Sequence, residues 1–152
     1  MNKIKTLYPF FICVTLAFLI STLSTNSCTS PTDAEKEITL PDSNLNYTDH
    51  IFPLFSAKCG SEDGCHSTYF GSLPANGLDL TQYDNLINHL VNDSEPIIIP
   101  GHGAESFLYR ILLEPLLGRR QMPPDRAPLS VNNIKGIKTW IDEGAPQFAP
   151  PD

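Results

Sequence analysis

The sequence has little of several things that most catalytic and nucleic-acid-binding domains need. Basic residues are scarce, 10 Lys and Arg against 17 Asp and Glu, for a formal charge of −7, which argues against a nucleic-acid partner. There is no H-E-x-x-H, no serine in a nucleophile elbow and no glycine-rich phosphate loop, so neither hydrolase nor nucleotide chemistry has a starting point. Carboxylates such as Asp49, Glu62, Asp63 and Asp125 read as solubilising, and no catalytic residue is assigned. No internal repeat is visible, and no set of alternating strands is large enough to build a sheet-based core.

The long apolar stretch lies at the start. Lys3 and Lys5 precede the nearly unbroken run from Leu7 to Ile20, which has the layout of an export signal, and Pro9 weakens the rival reading as a retained membrane span. Small polar residues then lead to Cys28. This resembles a bacterial lipoprotein cleavage site, with Thr25 at the position three before the cysteine that is ordinarily leucine. The resemblance implies an export signal over 1–27 and a lipid carried on Cys28. The expected address is therefore outside the cytoplasm, periplasmic or at the cell surface, held to a membrane by the anchor. The removed segment carries two lysines and no acid, so what remains is more acidic still.

Residues 28–46 are rich in Ser, Thr, Pro and Asp with little apolar periodicity, and read as a flexible tether. Four helices are expected beyond it. The first runs from Asp49 to about Lys58, capped by Thr48. The second runs from Gln82 to about Val91, capped by Thr81, with Tyr83, Leu86, Ile87 and Leu90 on one face. The third follows Ser106 through Leu113. The last follows Ser130 with Ile134, Ile137, Trp140 and Ile141 on one side, and ends at Gly144 and Pro146. Residues 147–152 form a Pro-rich tail. The expected class is all-α.

Cysteine is the informative scarcity. Of four, Cys13 lies in the signal and Cys28 at the lipid site, leaving Cys59 and Cys65 for the folded domain. They stand in Cys59-Gly60-Ser61-Glu62-Asp63-Gly64-Cys65-His66. Two thiols followed directly by an imidazole are the signature of covalent haem attachment, in which the cysteines form thioethers with the haem vinyl groups and the histidine takes an axial position on iron. Here five residues separate the thiols, where two are usual. A longer insert can bulge outward while both sulfurs reach their carbons, and Gly60 and Gly64 ease such a loop.

An electron-transferring haem iron is best served by two fixed axial ligands, and the chain has one methionine besides Met1. Met122 lies in Gln121-Met122-Pro123-Pro124-Asp125, where two prolines stiffen the backbone around a flexible thioether. Residues expected to wall the cofactor are Leu78, Leu80, Tyr83, Leu86, Ile87, Phe107, Leu108, Ile111 and Trp140. Arg110, Arg119, Arg120 and Arg126 are candidates for a positive rim that pairs with propionates or meets an acidic redox partner.

Three alternatives stand beside this reading. Cys59 and Cys65 can close a disulfide, the default fate of two thiols in an exported chain, leaving a haem-free lipoprotein binding module. Zinc or copper would need His50, His89 or His102 as a fourth ligand. A haem sensor or catalyst would need a displaceable Met122 or another sixth ligand, for which His102 in its glycine-flanked loop is a candidate.

The arrangement as a whole resembles a known family. Ile51-Phe52-Pro53-Leu54-Phe55, Gly77-Leu78-Asp79-Leu80, Gly103-Ala104-Glu105-Ser106-Phe107-Leu108-Tyr109, Met122-Pro123-Pro124 and Trp140-Ile141-Asp142-Glu143-Gly144-Ala145 look like the small Planctomycete-type cytochrome c domains, class I-like, some of them bacterial lipoproteins. The resemblance covers roughly residues 47–146. It implies about four helices around a covalent haem c, thioethers from Cys59 and Cys65, axial His66 and Met122, and single-electron exchange with redox partner proteins.

Overall fold

In the computed structural model the described residues are 37–60, 65–68 and 74–151. The expectations for the export signal, Cys28 and most of the tether fall outside them. By its contacts the chain divides into residues 1–37 and 38–152, and the account below concerns the second unit. Among the described residues no helix is long and apolar enough to cross a membrane.

Among the described residues four α-helices make most of the regular structure: α1 (Phe52–Lys58), α2 (Tyr83–Asn88), α3 (Phe107–Leu113) and α4 (Val131–Asp142). A two-stranded antiparallel ribbon, β1 (Leu90–Val91) and β2 (Glu95–Pro96), is the one sheet among the described residues. The regular structure is thus mostly helical, and long connections join the helices.

Each helix has a local cause. A wide turn of π-helical hydrogen bonding over Tyr47–Ile51 leads into α1, and its cap is Asn46, whose side-chain oxygen accepts from the Asp49 N–H at 2.9 Å. Thr48, the expected cap, instead donates its hydroxyl to the Gln147 carbonyl. Pro53 sits in the first turn of α1, where a missing N–H costs nothing. For α4 the expected cap holds: the Ser130 hydroxyl accepts from the Asn133 N–H at 3.2 Å. Gly144, at φ +94°, follows its end in the left-handed region.

Helix α2 is shorter than its apolar spacing predicts. His89 is already extended, and the chain turns through Asn92 and Asp93, both at positive φ, so that Leu90 pairs with Pro96 and Val91 with Glu95. Asn and Asp tolerate that conformation well. Leu90, expected on the buried face of a helix, is 46% exposed.

The core gathers Ile51, Leu54 and Phe55 from the first helical segment, Phe107, Leu108 and Ile111 from α3, and Ile137, Trp140 and Ile141 from α4. Trp140 is fully buried and donates its indole N–H to the Pro146 carbonyl at 3.0 Å. Tyr47 packs against Trp140 and Tyr83, with ring centroids 6.2 and 5.3 Å away.

The folded body begins earlier than the expected tether boundary. Leu40 is buried over Gly136 of α4, and its N–H bonds the Asn132 side chain at 2.9 Å. The Glu143 carboxylate accepts from the N–H groups of Asn44 and Leu45, both at 2.8 Å. Polar composition suggested a tether, but three apolar side chains, Ile38, Leu40 and Leu45, are enough to pin this stretch to the core. The expected tail is also tied in at its start, since the Gln147 carbonyl accepts from the Thr48 N–H.

Candidate functional site

A cavity of about 490 Å³ opens between α1, the ribbon, α3 and the loop after α3. Cys59, Cys65, His66 and Met122, the four residues singled out on chemical grounds within the domain, all line it. Three come from one short stretch and Met122 from a distant loop, and each is held by backbone hydrogen bonds.

Cys59 ends α1. Its N–H and that of Gly60 both bond the Phe55 carbonyl, at 2.8 and 2.9 Å, closing the helix. The chain then returns on itself, so that the His66 N–H bonds the Cys59 carbonyl at 3.1 Å. The residues on either side of the insert between the thiols are thereby joined. Gly60 is needed there, because a Cβ would lie 2.7 Å from Thr81 Cγ2 and 3.1 Å from Ser67 Cβ. Cys59 is half-buried and Cys65 exposed, both present as thiols. Burial pushes the Cys59 thiol up to about 12, outweighing the nearby Arg126 and Lys58 cations and adding to the influence of Cys65. A neutral sulfur suits an apolar pocket, whereas a buried thiolate would be costly without a partner.

His66 is oriented from both sides. The Leu80 N–H bonds its carbonyl at 2.9 Å, and its ring Nδ1 lies 3.2 Å from the Leu78 carbonyl. A carbonyl oxygen can only accept, so Nδ1 carries the proton and Nε2 is the nitrogen with a lone pair to offer a metal. Desolvation lowers the ring's pKa against the opposing pull of that hydrogen bond, so the imidazole is neutral at pH 7, the form that ligates.

Met122 is positioned by the end of α3. The last four carbonyls of any helix lack intrahelical donors. Here the Met122 N–H bonds the Ile111 carbonyl and the Gln121 side-chain amide bonds the Leu112 carbonyl, both at 2.9 Å. The loop thus completes the helix, and Met122 packs against the core as part of the cavity wall. The Met122–Pro123 peptide is cis.

Of the expected wall, Leu78, Leu80, Phe107, Leu108 and Ile111 line the cavity. Tyr83 and Trp140 belong to the aromatic cluster with Tyr47, and Tyr83 donates its hydroxyl to the Ala145 carbonyl at 2.9 Å. Phe55, Val91, Ile97 and Leu112 complete the wall without having been foreseen. Of the four arginines weighed for a rim, Arg119 and Arg126 line the cavity, with Arg119 held by Asn92 at 2.8 Å. Arg110 pairs instead with Glu95, and Arg120 with Asp125.

The other histidines separate clearly. His50 accepts from the Asn46 N–H through Nδ1, and His102 lies 3.5 Å from Glu105 at the surface, so neither reaches the cavity. His89, considered only as one of three possible fourth ligands for zinc or copper, does line it. Among the described residues no three or more His, Cys, Asp or Glu side chains come together as a metal site.

Asp79, in the Gly77-Leu78-Asp79-Leu80 stretch, carries no chemical signature of its own in the sequence. It is buried, and its carboxylate accepts from the hydroxyl and N–H of Thr68 at 2.8 and 3.1 Å and from those of Thr81 at 2.6 and 2.8 Å. Burial by itself would raise its pKa, but these bonds hold the carboxyl below its ordinary value. The available signal was local: an Asp with Thr two residues on can close an Asx turn.

The residues fit a haem. A flat apolar macrocycle with two carboxylates needs an apolar slot with cations at its mouth, and the cavity offers apolar walls with Lys58, Arg119 and Arg126 among its lining. His66 and Met122 would hold its iron, and Cys59 and Cys65 would hold it covalently. No known protein family, curated protein or solved structure matches the chain.

Proposed function

We propose that this chain is a monohaem c-type cytochrome domain that relays single electrons between partner proteins outside the cytoplasm, with an all-helical cytochrome c-like body tethered to a membrane through a lipid on Cys28. The observation that carries the reading is convergence: two thiols, an imidazole with Nε2 available, and the chain's one internal methionine line one apolar cavity. Bound there, a haem supplies one-electron chemistry, and the remaining work belongs to the chain. Cys59 and Cys65 hold the group covalently. His66 presents Nε2 because Leu78 occupies Nδ1. Met122 offers a neutral thioether from a loop pinned to α3, which favours the ferrous state relative to a second imidazole. The apolar wall excludes water and raises the potential further. With His66 and Met122 both holding the iron, the site would serve as a carrier and not a catalyst.

The test is spectroelectrochemical titration of the full chain produced with a c-type cytochrome maturation system. The account expects a coloured protein with one reversible one-electron wave. A colourless chain in which both Cys59 and Cys65 are lost to thiol reagents would instead favour the exported binding module stapled by a disulfide.

A further inference from the structure

The elements that aim His66 are themselves held by a single side chain. The Leu78 carbonyl fixes the ring and the Leu80 N–H fixes the His66 carbonyl. Between those two residues lies Asp79. Its carboxylate reaches back to Thr68, two residues after His66, and forward to Thr81, while its own N–H bonds the Asn85 side chain at 2.7 Å. Asn85 in turn donates to the Gly77 carbonyl at 3.1 Å, tying the segment to α2. A buried carboxylate that accepts four hydrogen bonds from both flanks of one loop has no freedom to move without leaving donors unpaired, which is costly in a low-dielectric setting.

We infer that Asp79 is a positioning residue for His66: its carboxylate clamps the 66–68 and 77–81 segments together, so that the Leu78 carbonyl holds the imidazole in its Nδ1–H tautomer with Nε2 turned to ligation. This deepens the haem reading and rests on it for its purpose, but the clamp itself is a property of the polypeptide. Partners of this kind, one step removed from a ligand, fix the ring and tune the metal it binds.

The experiment reads the tautomer directly. Long-range proton–nitrogen correlation spectra of the full chain, haem-free and at a pH where imidazole is neutral, report which His66 nitrogen carries the proton. Wild type is expected to show Nδ1–H alone. Thr68→Val removes one hydroxyl from the Asp79 carboxylate at a surface position and is expected to keep the fold while His66 shifts to an exchanging mixture with Nε2–H, the form favoured by a ring in water. Asp79→Asn is expected to shift it further. Thr48→Val, which removes the hydroxyl bond to Gln147 on another part of the body, is expected to leave His66 unchanged. Wild-type His66 in the Nε2–H form, or Nδ1–H retained in folded Thr68→Val and Asp79→Asn, would overturn the inference. If Asp79→Asn does not fold, Thr68→Val decides. Failure of the chain to take up haem would sink the cofactor reading and leave the tautomer result to decide the clamp by itself.

Discussion

His66 and Met122 reach one cavity by opposite means, and each carries a consequence at the scale of a side chain. His66 is set by hydrogen bonds to its ring and backbone, Met122 by lending its N–H to the end of α3. Met122→Ala therefore leaves the backbone bond in place and removes only the thioether. In the haem-loaded protein the near-infrared sulfur-to-iron band is expected to vanish and the reduction potential to fall, and an unchanged spectrum would show that another group holds the sixth position. Asp79 makes a second prediction through pH. Its carboxyl titrates below the ordinary 3.8 in the folded state. The unfolded chain thus takes up the proton first as pH falls, and the stabilisation is complete above 3.8 and lost as pH drops through the lower folded value. Denaturant melts should place Asp79→Asn about 1.5–3 kcal/mol below wild type at pH 7, the range for hydrogen bonds to a charged group, with the gap closing in strong acid. Cys59, Cys65, His66 and Met122, which line one cavity, could be singled out from sequence because such side chains are rare here and their chemistry is specific. Asp79 could not, since one acid among 17 looks like any other until burial and partners are known.

At the scale of elements the sequence was readable where one physical signal dominated. Ser130 before an apolar-periodic run predicted α4, and the run after Ser106 predicted α3 over Phe107–Leu113. The Ser106 hydroxyl, however, accepts from the Ile99 N–H and donates to the His102 carbonyl in place of capping the helix. Helix α2 was over-extended because Leu90 keeps helical spacing with Leu86, while the competing turn at Asn92 and Asp93 draws the chain into the ribbon. The N-terminal boundary was missed because composition cannot show that Leu40 finds a glycine on α4. That contact is testable. A Cβ on Gly136 would lie 2.8 Å from Leu40 Cβ, close to backbone and so unable to swing away. Gly136→Ala gains about 1 kcal/mol of helix propensity but incurs overpacking of about 1–3 kcal/mol. The expected result is a less stable protein whose 38–46 segment is released from α4 and cut sooner by proteases. A more stable variant with unchanged cleavage would mean that segment does not pack on the helix in solution.

The unit that begins at Ile38 is a small helical body with much of its described chain in loops, and the cavity lies among those loops at the ends of α1 and α3 and beside the ribbon. A domain of this size has limited core to draw on, and a covalently held apolar group filling the cavity would add to that core, so the loaded form should melt higher than the haem-free form. The fold class was only partly legible, since helix number followed from periodicity while the share of ordered loop did not: those loops are fixed by single contacts such as Glu143 to Asn44 and Leu45, which leave no periodic trace. The central claim is that Cys59 and Cys65 carry a covalent haem despite the five residues between them, and one measurement addresses it most directly. The full chain is produced with a cytochrome maturation system, denatured, extracted with acidified organic solvent, and its reduced pyridine haemochrome recorded. The account predicts one haem per chain, retained through extraction, with the α band of a haem whose two vinyl groups are both saturated, and loss of that retention in a Cys59→Ser, Cys65→Ser double variant. A wild-type chain that gives no haemochrome band after extraction would contradict it.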